Sequence, residues 1–160
     1  MEEIGGSLIG VFGGAFFGIL ALLFVVLIVV FIGLYAISAI GLSGIAEKEG
    51  HDKAWLAWIP IANTFLMMML VEDDVHESMR GKYTLIFAIT FIASIVLGGF
   101  FPPIGLVPSV MMYYALYLLA NSRSDNAVMY LVISIVTFNF ATPFMLFRLR
   151  NRDRRSVEVV

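Results

Sequence analysis

Apolar residues in this chain fall into five long blocks, 4–46, 54–71, 83–100, 104–120 and 127–147. Polar stretches at 47–53, 72–82 and 121–126 separate most of them, and an arginine-rich tail begins at 148. Only Phe101-Pro102-Pro103 divides the third block from the fourth. Within the blocks the apolar residues neither alternate nor follow a heptad, a pattern of helices in lipid rather than of half-buried strands or coiled coils. Helices and closed barrels alone satisfy their backbone groups inside a bilayer. The expectation is an all-α integral membrane helical bundle, one domain over 1–160 with about five apolar helical segments.

The blocks differ in what their lengths allow. The first, 4–46, would reach ~65 Å as a continuous helix, against a hydrocarbon core of ~30 Å. Its densest part, 19–40, is the expected span. That leaves 4–18 to project, tilt or lie at the interface, since a piece so short cannot cross alone. The block 54–71 is just long enough to cross, but Pro60 stands in its middle and removes a helical hydrogen bond. Asn63 and Thr64 follow, placed to satisfy the carbonyls the proline frees. Trp55 and Trp58 open the block, as amphipathic rings do at headgroup level. Asn139 and Pro143 interrupt 127–147 in the same manner. These two segments either cross or re-enter, while 83–100 and 104–120 read as a helical hairpin closed by the proline pair.

Charge placement bears on that choice. The sequence holds ten Lys and Arg and twelve Asp and Glu, a net charge of −2, unevenly distributed. Cytoplasmic loops carry an excess of Lys and Arg. With five crossings and the N-terminus outside, Lys48, Lys53, Arg148, Arg150, Arg152, Arg154 and Arg155 lie in the cytoplasm, with Arg80, Lys82 and Arg123 opposite. If 54–71 and 127–147 both return, all ten lie in the cytoplasm. Losing only the crossing of 54–71 divides them evenly. Charge thus favours re-entry, segment length favours five crossings, and five crossings is the expectation adopted. Both arrangements put the N-terminus outside and the basic tail, 148–160, inside.

Composition narrows the function classes. Hydrophobic residues make up 61% and charged residues 14%, against ~25% charged in soluble domains, which leaves no room for a soluble catalytic domain. The acidic start Met1-Glu2-Glu3 lacks the basic opening of a secretory signal, so the first segment is expected to be retained. Without cysteine there are no disulfides, thiolate metal sites or cysteine nucleophiles. The apolar cores carry no ionisable side chain away from their ends, which argues against ion-coupled pumping and against an aspartyl or metal-dependent intramembrane protease. No enzyme activity, cofactor or nucleic-acid partner is expected.

Four features remain. Gly6, Gly10, Gly14 and Gly18 recur at every fourth position. Such a series leaves one helix face without side chains, against which another backbone can pack closely. It reads as packing within the chain or as a seam to a second copy or another membrane subunit; the seam is preferred, and a neighbour is expected against the stripe. Glu72, Asp73, Asp74, His76 and Glu77, with His51 and Asp52, have oxygen and imidazole donors suited to a divalent cation. Their spacing matches no metal motif, so a solvated connector is the expectation and no metal is assigned. The methionines, Met67-Met68-Met69 among them, read as packing filler. The arginine tail fixes topology or meets anionic headgroups.

The stretch 45–50, Ile-Ala-Glu-Lys-Glu-Gly, and the stretch 54–63, Ala-Trp-Leu-Ala-Trp-Ile-Pro-Ile-Ala-Asn, resemble a pattern in small polytopic membrane proteins of Gram-positive bacteria, a family without an assigned function. Asp125-Asn126-Ala127 and the closing 144–151 are similar to the end of such proteins. The resemblance covers about 33–151, leaves out the glycine-rich start and implies a multi-pass protein of a bacterial plasma membrane. The functional expectation is a non-enzymatic assembly or accessory protein that associates through its N-terminal helix. A small oligomeric channel or transporter, and an immunity or regulatory protein for a membrane toxin or transporter, are the alternatives.

Overall fold

The computed structural model describes residues 2–154, with side-chain surroundings from residue 13 onward. The described residues form six α-helices and no strand. They are α1 (Glu2–Lys48), α2 (Ala62–Leu70), α3 (Tyr83–Leu97), α4 (Leu106–Asn121), α5 (Ala127–Val136) and α6 (Thr142–Arg150). Short 3-10 turns at Ala54–Trp58 and Pro102–Gly105 precede α2 and α4. The chain divides into two compact units, Met1–Tyr35 and Ala36–Val160.

The first unit is helix alone. Every residue from Gly14 to Gly33 is exposed, including Phe17 at 70% and Val29 at 64%. This bare apolar stretch is about 30 Å long at 1.5 Å per residue, the thickness of a bilayer's hydrocarbon.

The second unit has a packed core. Ala39, Leu42 and Ile45 from the end of α1, Leu66 and Met68 from α2, Tyr83 and Phe87 from α3, Leu116 and Leu119 from α4, and Leu146 and Leu149 from α6 are all buried. Phe65 meets Phe87 edge-on at 5.4 Å between ring centroids, and Phe87 stacks on Phe91 at 5.8 Å. The end of α1 lies directly against α6. A Cβ on Gly41 would stand 2.6 Å from the Phe147 backbone nitrogen and 2.7 Å from the Leu146 carbonyl carbon, and one on Gly44 would collide with the Arg150 side chain. Glycine therefore sets the approach of these two helices.

The path of the chain departs from five crossings. Two stretches, Gly13–Lys48 and Pro102–Asn121, are long and apolar enough to cross a membrane; Tyr83–Leu97 and Ala127–Val136 are shorter apolar helices. The segment 54–71 is a 3-10 turn, a reversal at Ile59, Pro60 and Ile61, and the nine-residue α2. Both of its ends line one surface cleft, with His51 and Lys53 from one side and Met69 and Glu72 from the other. The segment 127–147 is likewise a hairpin, α5 then α6, turned at 137–141. At Pro60 the chain turns between the 3-10 turn and α2. The Asn63 and Thr64 side chains bond each other at 3.2 Å. It is their backbone N–H groups that donate to the Ile59 and Ile61 carbonyls, both at 3.0 Å. Pro143 does not interrupt a helix: it sits in the first turn of α6, where its missing N–H costs nothing.

Two turns carry unusual backbone. Ile61 has φ 71°, and Phe138 and Asn139 have φ 50° and 67°. A β-branched residue such as Ile61 in this region costs ~1–3 kcal/mol.

The contact between α1 and α6 gives a direct test. Gly41→Ala is expected to lower stability by ~1–3 kcal/mol, because its methyl meets backbone that cannot rotate away. Gly33→Ala, whose methyl meets nothing within 4 Å, should be neutral or gain up to ~1 kcal/mol as an alanine in a helix. Unfolding of both variants in detergent micelles measures the difference.

Candidate functional site

The polar loops of the second unit converge at one end, around Glu49. Arg123, from the 121–126 loop, has only 2% of its side chain exposed, and its guanidinium bonds the Glu49 carboxylate Oε1. Arg123 also donates to the Leu119 carbonyl at 3.5 Å and to the Ser122 hydroxyl at 3.3 Å. Glu49 itself is only 10% exposed along its side chain. A second guanidinium, Arg154 from the tail, approaches the same Oε1 at 3.6 Å and bonds Asp74 of the 72–82 loop at 2.5 Å. Lys48 pairs with Asp153 at 3.1 Å. Burial of Arg154 by itself lowers its pKa; the Asp74 carboxylate, with Glu49 and Asp73, outweighs this and holds the guanidinium above its ordinary value.

These pairs fix the topology of the unit. One carboxylate joins the loop after α1, the loop after α4 and the tail after α6, and Arg154 adds the loop after α2. Every segment between those loops leaves this end and returns to it. A charge left alone in such a buried site would be strongly destabilising, so the pairing favours an arrangement in which these loops meet.

Glu72 has a separate role. Its Oε1 accepts the Tyr83 N–H at 2.8 Å, and its Oε2 accepts the Thr84 N–H at 3.0 Å and the Thr84 hydroxyl. A carboxylate thus closes the N-terminus of α3, where unpaired N–H groups and the helix dipole favour negative charge. The acidic stretch is therefore more than a solvated connector, although Asp73 and Glu77 are exposed. His76 Nδ1 lies 3.0 Å from the Ser78 hydroxyl. Among the described residues no group of three or more His, Asp or Glu could hold a metal ion.

A second polar cluster lies at the turn between α5 and α6. Asn139 donates to the Tyr113 hydroxyl at 3.0 Å and accepts from Thr142 at 3.3 Å, while the Thr142 hydroxyl lies 3.0 Å from that of Ser134. Ser134 is fully buried. Asn139, expected as a helix interruption, is thereby the residue that ties this turn to α4.

The glycine series is placed differently from the charge cluster. Gly6 and Gly10 lie in α1, but their surroundings fall outside the described residues. Gly14 and Gly18 have no atom within 4 Å of a would-be Cβ. Among the described residues no neighbour stands against those two positions. The close helix contact occurs at Gly41 and Gly44, which the sequence reading passed over. Its signal was the density of small residues around them, Ala39, Ser43 and Ala46. No protein-family model, curated protein or solved structure matches this chain.

The cluster makes two measurable demands. Glu49→Ala strands Arg123 in a buried site and should cost ~3–5 kcal/mol. The double variant Glu49→Leu with Arg123→Met removes both charges and should lose much less. Glu72→Ala should cost ~1–2 kcal/mol through loss of the α3 cap. Thermal unfolding in detergent, with all variants at one salt concentration, measures each loss.

Proposed function

We propose that this chain is a membrane-embedded, non-enzymatic assembly or accessory protein of a bacterial plasma membrane, associating through α1 with a second copy or another membrane subunit. The observation that carries this reading is the mismatch between α1 and lipid. A bilayer covers about 20 residues of helix, whereas α1 has 47 and is uncharged over 4–46. Lipid covers one part of it. The remainder exceeds what a bilayer needs: 4–18, ahead of the expected span, is apolar and carries the glycine series, and among the described residues no atom lies within 4 Å of a would-be Cβ at Gly14 or Gly18. A helix face of that kind is stabilised by another backbone.

Large exposed side chains on the second unit support the membrane part of the reading. Ile95, Val136 and Leu106 are each about two-thirds exposed, and in water such a surface would drive aggregation. The likeness of the Ala-Trp-Leu-Ala-Trp-Ile-Pro stretch to Gram-positive membrane proteins supports a bacterial host. The gathering of Lys48, Lys53, Arg80, Lys82, Arg123 and the tail arginines in the polar segments of the second unit supports a cytoplasmic location for its charged end, with the N-terminus outside.

Gly14→Leu with Gly18→Leu tests the association. Neither new side chain meets an atom of this chain near the backbone, so the fold should survive. The expected result is a shift of the complex in mild detergent to a smaller species by size-exclusion chromatography with light scattering. An unchanged profile would overturn the assembly reading. Solute flux through liposomes holding only this protein would favour the channel instead.

A further inference from the structure

We propose that the second unit enters the bilayer from the side of its charged end only, so that its three hairpin tips finish inside the hydrocarbon and no loop reaches the opposite surface. The inference rests on the membrane reading above and adds a depth to it. Three independent observations carry it.

The first is length. At 1.5 Å per residue, α2 and α5 reach about 15 Å and α3 about 22 Å, all short of a ~30 Å core. Only α4 with its preceding turn is long enough to cross, and it is tied to the shorter α3 by the turn between them. The second is the chemistry of the tips. Phe100 is 91% and Phe138 is 85% exposed, and Ile61 is 60% exposed. No charged residue lies between Tyr83 and Asn121 or between Ala127 and Phe147. The turn residues these tips carry, Gly98, Gly99, Pro102, Pro103, Pro60 and Asn139, supply backbone geometry and no charge.

The third is the bookkeeping of backbone donors, which lipid makes obligatory because it offers no acceptor. From 137 to 143 the account closes completely. Thr137, Phe138, Asn139, Phe140 and Thr142 each donate to a backbone carbonyl within the hairpin. Ala141 donates to the Thr137 hydroxyl at 3.2 Å, and Pro143 has no N–H. At the tip between α3 and α4, Gly98, Phe100, Phe101 and Ile104 donate within the turn, while Pro102 and Pro103 carry no donor. At the α2 reversal Ile59 donates to Leu56 and Pro60 has nothing to donate, but no acceptor is found for the Ile61 N–H, nor for that of Gly99 at the α3–α4 tip, so the closed account is that of 137–143. The exposed Ile61 side chain is favoured where the surroundings are hydrocarbon.

The chain's lack of cysteine makes the test clean. Single variants Ser78→Cys, Phe100→Cys and Phe138→Cys are reconstituted in sealed phosphatidylethanolamine–phosphatidylglycerol vesicles, floated after a carbonate wash and treated with a membrane-impermeant maleimide. The expected result is labelling of Ser78→Cys and loss of labelling at Phe100→Cys and Phe138→Cys, restored after denaturation in sodium dodecyl sulfate. Because both phenylalanines are exposed in the fold, protection of these positions means lipid rather than protein. Labelling of Phe100→Cys or Phe138→Cys in intact vesicles overturns the inference. Gly99→Cys, whose Cβ meets nothing within 4 Å, repeats the measurement if Phe100→Cys fails to fold. Failure of every variant to float would instead remove the membrane reading itself, so the two failures are distinguishable.

Discussion

A guanidinium with almost no access to solvent needs a carboxylate, and Arg123 has one in Glu49. That single requirement organises the second unit. Glu49 follows α1 directly, Arg123 follows α4, and Arg154 comes after α6 to share the same oxygen. With these three points held together, the chain between them has no choice but to run out and back. The apolar core and the α3 cap fill in around that constraint; neither would by itself bring the loops to a common end. Buried ion pairs are poor stabilisers in general, since desolvation offsets much of the Coulombic gain. Here the pair acts through geometry, by penalising any arrangement that separates its members.

The two units obey opposite rules. In the second, polar groups turn inward or gather at one end, and the apolar residues divide between a core and an exterior. In the first, the described residues from Gly14 to Gly33 are apolar and none is covered. Glycine serves each unit differently. Gly41 and Gly44 are filled against α6, so their missing side chains are already used. At Gly14 and Gly18 a Cβ would meet nothing within 4 Å among the described residues.

Much of the helical layout could be read from the residues. The blocks 83–100 and 104–120 hold α3 and α4, with α3 ending at Leu97 and the proline pair opening the short turn ahead of α4. Pro60 stands where the chain turns between the 3-10 turn and α2. What could not be read was which loops meet. Arg123 lies 74 positions after Glu49, and nothing near either residue names the other. The count of Lys and Arg did point towards returning segments, but helix length argued for five crossings and was given more weight. Five crossings are not shown: two stretches are long and apolar enough to cross, and at 54–71 and 127–147 the break lies deep enough in each block to turn the chain round. The cap supplied by Glu72 was hidden likewise, since its partners stand 11 and 12 residues away across a loop. The charge cluster was missed as a site because each member resembles an ordinary loop residue until the fold assembles them.

The shared carboxylate also imposes a schedule on biogenesis. Ribosomes deliver a chain in order, and Glu49 emerges well before either guanidinium that pairs with it. Arg123 follows 74 residues later, and Asp153, which pairs with Lys48, only after 105. Through that interval the carboxylate at the end of the first helix is held by water rather than by a guanidinium. The hairpins between are made before their clasp, so the charged end closes only once Arg123 and Arg154 have both emerged.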